Sequence, residues 1–127
     1  MSGKIGKREQ RRRLKAESFR RSECAIACTL DLIGDKWTLL VVRDLFFGKT
    51  RYKEFQESDE KIPTNILAAR LQRLEEAGLI FRTPYQDRPV RYEYHLTETG
   101  RTLGPVLKSI VKWALKELPG TYTPLEM

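Results

Sequence analysis

The chain has 127 residues, 40% of them hydrophobic, with a formal net charge of +7, which predicts one domain with a modest core that needs no disulfide framework. The basic start runs into further charge, and apolar runs such as Leu39 to Val42 fall far short of the roughly 20 residues of a membrane helix, so neither a secretory leader nor a membrane span is expected, and a cytosolic protein is. Cys24 and Cys28 are then expected to be free thiols.

Residues 1 to 21 form the first segment in chain order, a basic arm. Lys4, Lys7, Arg8, Arg11, Arg12, Arg13, Lys15, Arg20 and Arg21 are opposed only by Glu9, Glu17 and Glu23 up to residue 23, whereas the rest of the chain is almost neutral. With only Ile5, Leu14 and Phe19 to bury, the arm is expected to be mobile, or helical only when docked, and reads as a solvated tail before it reads as a specific DNA arm. The folded domain is expected over residues 22 to 118, followed by a tail over 119 to 127. Ser22 is a candidate N-cap, and Ala25, Ile26, Leu30 and Ile33 recur at helical spacing up to Gly34. A second helix from about Asp35 carries Trp37, Leu40, Val41, Leu45 and Phe46 and stops at Gly48. Both helices are expected to belong to the core.

A short polar helix follows from Tyr52 to about Glu57 with Phe55 inward, and then a charged turn over Ser58 to Lys61. Pro63, comfortable in a first helical turn, opens a helix in which Leu67, Leu71 and Leu74 fall at i, i+4 and i+7 before Gly78. Two runs of β character, Leu79 to Tyr85 and Val90 to Leu96, flank the polar Gln86-Asp87-Arg88-Pro89 and predict a hairpin. Thr97 can cap a last helix containing Leu103, Val106, Leu107, Ile110, Val111, Ala114 and Leu118, which Pro105 kinks or restarts. The fold class is α+β and mainly helical, with a winged helix-turn-helix at its centre and extra helices at both ends.

A helix-turn-helix followed directly by a β-hairpin is the winged arrangement, whose second helix enters the DNA major groove. If Leu67, Leu71 and Leu74 turn inward, a 100° step per residue places Asn65, Ala68, Ala69, Gln72 and, at the flank, Arg73 outward. Asn and Gln can bond adenine edges, Arg reads guanine or grips phosphate, and alanines allow close approach to thymine methyls. Thr64 at the helix start suits a phosphate. Arg70 lies at the seam, where a phosphate contact and an internal ion pair, for instance to Glu75 or an acid of the preceding helix, weigh equally. On the wing, Arg88 at the tip with Arg82 and Arg91 on the strands suits backbone neutralisation or a narrow minor groove. An exposed Asn, Gln or Arg is more often merely solvated; its place in the motif is what raises these above that reading.

The stretches Gly34 to Leu40, Arg43-Asp44-Leu45, Ile62 to Leu67, Arg70 to Glu75, Gly78-Leu79-Ile80 and Tyr92 to Thr97, with Gly100, resemble the HxlR-type winged helix-turn-helix regulators of bacteria and archaea over Cys24 to about Leu118. The resemblance implies a transcriptional regulator acting as a homodimer through its first and last helices on a pseudo-palindromic operator. On that reading Ile110, Trp113 and Leu118, beyond the needs of the core, are expected at the dimer interface. Some members sense oxidants or electrophiles through a cysteine near the start of the first helix, where Cys24 stands; a helix N-terminus lowers a thiol pKa, although a structural thiol is the simpler reading. Cys24, Cys28 and the lone His95 cannot supply a four-ligand zinc site, so no metal or cofactor is expected. No nucleophile-base set or phosphate-cradling loop suggests an enzyme. The rival is a winged helix that binds protein or RNA, which would be expected to present larger apolar groups between residues 64 and 73.

Overall fold

The computed structural model describes residues 21–124; the expected arm, except Arg21, and the last three residues lie outside them. The elements in chain order are α1 (Ala25–Ile33), α2 (Thr38–Phe46), α3 (Tyr52–Gln56), α4 (Thr64–Glu76), β1 (Ile80–Asp87), β2 (Val90–Leu96), α5 (Glu98–Arg101) and α6 (Gly104–Glu117). This is the winged helix-turn-helix order, with helices added at both ends. Among the described residues no helix is long and apolar enough to cross a membrane.

One core holds the elements together. Val41, Val42 and Leu45 of α2 meet Phe55 of α3, Leu67, Leu71 and Leu74 of α4, Leu79 and Ile80 at the start of the hairpin, Tyr94 and Leu96 of β2, and Leu107 of α6. The three leucines of α4 are at most 2% exposed, as their i, i+4, i+7 spacing predicts. Gly48 and Gly78 follow α2 and α4 with φ of 90° and 83°, the left-handed backbone that lets the chain turn sharply out of a helix.

Several boundaries differ from the sequence expectation. Cys24, with extended backbone, is the N-cap residue of α1, while the Ser22 hydroxyl accepts the Cys24 N–H at 3.0 Å. Residues 35–37 form a turn before α2, and Pro63 precedes α4 as its N-cap, φ −61° and ψ 145°, without entering its first turn. The strands reach further than expected, leaving only Arg88-Pro89 as the turn, with an irregularity between Pro84 and Gln86. Thr97 caps α5 by accepting the Gly100 N–H, but that helix lasts one turn and Pro105 restarts the chain as α6.

The largest difference concerns α1. Its apolar spacing predicts a core helix, yet Ile26 is 71% and Leu30 54% exposed, and of its nine residues only Ile33 is buried. Periodicity identifies an apolar face and says nothing of what covers it. The last helix repeats the pattern, with Val106, Ile110, Trp113, Leu115 and the following Leu118 exposed and Leu107 alone buried.

The hairpin is fastened at its base. Tyr94 donates its N–H to the Thr50 carbonyl at 2.8 Å and Thr97 donates to the Leu79 carbonyl at 3.0 Å. The Thr97 hydroxyl also donates to the Gly78 carbonyl at 2.7 Å. From this base the strands project to a tip at Arg88-Pro89 that is exposed throughout.

Candidate nucleic-acid interface

With its leucines buried, α4 turns Thr64, Asn65, Ala68, Ala69 and Gln72 to the surface, all of them exposed. This face combines two amides and two methyl groups with no bulky apolar side chain. Gln72 donates to Glu76 at 3.4 Å, a contact long enough to leave its amide available. Thr64 is positioned: Gln56 of α3 donates its Nε2–H to the Thr64 hydroxyl at 2.8 Å. Gln56 has no local sequence signal, since its partner lies eight positions away across a turn.

The arginines fall into two groups. Arg70 Nε donates to Asp35 Oδ2 at 2.8 Å, so it is engaged internally, with an acid of the turn before α2 and not with Glu75. Arg73 donates to the Asp31 carbonyl at 2.6 Å and lies 3.9 Å from Asp35. Arg82 stands 3.5 Å from Glu75 and 4.3 Å over the Tyr92 ring. Arg88 and Arg91, by contrast, are exposed and have no ionic partner among the described residues. The unpaired cations of the wing thus gather towards its outer end, where charge is free to meet a phosphate.

Asp35 organises the helix pair. Its carboxylate accepts the N–H of Trp37 at 3.0 Å and of Thr38 at 3.2 Å, the Thr38 hydroxyl, and the Arg70 guanidinium. Partial burial raises its pKa, but the bonds from Thr38, Arg70 and Trp37 outweigh it and hold the carboxyl at about 2. A second network fixes the turn between α3 and α4. Arg43 of α2 grips Glu60 with two nitrogens at 2.8 and 2.9 Å and Asp44 at 3.0 Å. The buried Asp44 carboxylate accepts the Ser58 hydroxyl at 2.5 Å, which itself accepts from Lys49 at 2.7 Å. The Arg43 bonds draw Glu60 below the ordinary carboxylate range. The angle between α2 and α4 is therefore set by ionic contacts at both ends as well as by leucine packing.

Away from this face, Cys24 is exposed at the start of α1. The backbone N–H groups of Ala27 and Ile26 hold its thiol below the ordinary value. Cys28, partly buried, donates its thiol hydrogen to the Ser22 carbonyl at 3.2 Å. Among the described residues no three His, Cys, Asp or Glu side chains gather as a metal centre requires.

YdeP of Bacillus subtilis, an uncharacterized HTH-type transcriptional regulator, is 41% identical over 93 residues, 73% of each chain. Rv3095 of Mycobacterium tuberculosis, likewise an uncharacterized HTH-type transcriptional regulator, is 39% identical over 95 residues; these cover 75% of this chain but only 60% of that longer protein. Among solved structures, the redox regulator HypR in its reduced form superposes with a TM-score of 0.69 at 33% identity, covering 76% of this chain and 95% of HypR. The reduced transcriptional regulator YodB of B. subtilis gives 0.64 at 29% identity, covering 80% and 100%. Residues 32–121 match the HxlR-like helix-turn-helix family, and the chain belongs to that family of transcriptional regulators.

Proposed function

We propose that the protein is a homodimeric regulator that binds double-stranded DNA sequence-specifically, with α4 in the major groove and the wing on the flanking backbone. Its place of action is then the nucleoid within the cytoplasm. The observation that carries this reading is the exposed face of α4, where Asn65, Ala68, Ala69 and Gln72 present amides and small methyls on a helix buried by its opposite side. Such a face can lie close to base edges, whereas a protein-docking helix needs larger apolar anchors. Thr64 and the first turn of α4 suit a phosphate; Arg88 and Arg91 supply exposed cations for the adjoining backbone. Arg70, Arg73 and Arg82 are assigned a supporting part, adding positive potential while holding the helix and wing in place.

Homodimerisation is supported by apolar surfaces on the terminal helices that no described residue covers. Ile26 and Leu30 on α1, Ile110 and Trp113 on α6, and Leu118 just after it are each between 46% and 71% exposed; isolated exposed leucines are ordinary, but an outward apolar stripe on each of two helices suits a contact between copies. Selection of bound fragments from a random duplex pool at physiological salt tests the whole reading. An enriched inverted repeat with half-sites about one helical turn (~34 Å) apart supports it; no enriched sequence overturns sequence-specific binding.

A redox response through Cys24 is a second part of the reading, supported by an exposed thiol at a helix N-terminus whose backbone N–H groups favour the thiolate. Differential alkylation would show Cys24 modified well before Cys28, with Cys24 modification weakening operator binding. Equal rates, or modification without effect on binding, would remove the sensing role.

A further inference from the structure

The exposed end of α2 and the beginning of α6 bound a half-open groove of about 660 Å³ that takes no part in the DNA reading. Phe46, Phe47, Pro105, Leu107 and Pro124 form its apolar lining, and Arg101 and Lys108 stand at its rim. The volume lies within the roughly 300–1,000 Å³ typical of small-molecule sites. Phe46 and Phe47 keep 37% and 48% of their surface exposed, although each could bury most of it against a bound ring or chain. Part of the wall depends on Gly104: the Phe46 ring comes within 3.4 Å of the point where a Cβ would stand, so the ring lies against the first turn of α6.

The charge of the rim selects the occupant. Arg101 and Lys108 are exposed, and neither has an ionic partner among the described residues. Two unpaired cations beside an aromatic floor complement a ligand with an apolar body and one anionic end.

We propose that this groove binds a small organic carboxylate, aromatic or short-chain aliphatic, with its apolar body on Phe46 and Phe47 and its carboxylate between Arg101 and Lys108. Titration of the full-length protein with benzoate and octanoate, and with benzyl alcohol and octanol as neutral counterparts, tests this at constant ionic strength by amide NMR. Saturable shifts at residues 46–47 and 101–108, with the carboxylates bound roughly tenfold more tightly than the alcohols, are the expected result. Arg101→Gln and Lys108→Gln, both at exposed positions, are expected to weaken carboxylate binding about fivefold each and leave the alcohols unchanged. Phe47→Ala should weaken both classes. Absence of saturable shifts at the groove, equal affinity for acids and alcohols, or normal carboxylate binding by both charge variants would overturn the proposal. So would groove shifts that follow protein concentration and not ligand, since a second copy would then fill the site. No DNA enters the measurement, so its outcome is independent of the operator experiment.

Discussion

Asp35 illustrates how much a single side chain can decide. Its carboxylate serves the turn into α2 and the guanidinium of α4 together, so Asp35→Ala removes a capping acceptor and leaves Arg70 unpaired. A loss of about 2 kcal/mol is expected by urea denaturation. Because the folded pKa, about 2, lies below the unfolded value near 4, this contribution is complete above roughly pH 4 and disappears as pH falls through 2. The stability gap between wild type and Asp35→Ala, followed from pH 6 to pH 2, should close accordingly. On the proposed DNA face, Gln72→Ala should change which operator sequence is preferred, whereas Arg88→Ala should weaken binding to every sequence and flatten its salt dependence. Competition titrations with matched and mismatched duplexes at several salt concentrations separate the two; identical behaviour of both variants would remove the division between base reading and backbone gripping. Sequence spacing indicated the outward residues of α4 because a helix has a fixed period. It could not pair Arg70 with Asp35, or Asp44 with Ser58, partners 35 and 14 positions apart, because those distances are settled only when the chain is folded.

Elements were legible where one face of a regular period is buried by the same chain. Leu67, Leu71 and Leu74 disclosed α4, and the run of β-forming residues from Val90 to Leu96 disclosed β2. Boundaries were less legible, because Ser22 has the side chain of an N-cap while Cys24 holds the position without a side-chain cap bond, and Pro63 suits either side of a helix start; backbone geometry decides. The one-turn α5 shows a packing constraint visible in the fold and only hinted at by sequence. A Cβ at Gly100 would stand 2.0 Å from the Leu79 carbonyl oxygen, so Gly100→Ala must push α5 off the base of the hairpin. A loss of about 2–3 kcal/mol is expected, from overpacking and the disturbed Thr97 contacts. Thermal melts check it, and a variant as stable as wild type would mean that α5 moves freely there. Leu71→Ala should cost about 3 kcal/mol through the cavity left between α2 and α4.

At the scale of the molecule, the exposed apolar residues of α1 and α6 are what the described residues leave uncovered. Their spacing was plain in the sequence, but their lack of cover was not, since a pattern cannot distinguish an intramolecular neighbour from a second copy. Ile110→Asp should place a charge in the proposed subunit contact, giving monomers in sedimentation velocity and operator affinity lowered by at least tenfold through loss of the second half-site. A fully dimeric, tightly binding variant would exclude α6 from the interface. The Asp35 bridge also bears on how such a dimer could be switched. With the turn before α2 tied to Arg70 of α4, and the far end of α2 tied through Arg43 and Asp44 to the turn that leads into α4, each reading head is braced at two corners like a carpenter's square. Bending it would break several charged contacts at once. A homodimer of such heads resembles a pair of callipers: the adjustable quantity is the gap between its points, and an on-off change in DNA affinity would come from resetting that gap against the pitch of the double helix.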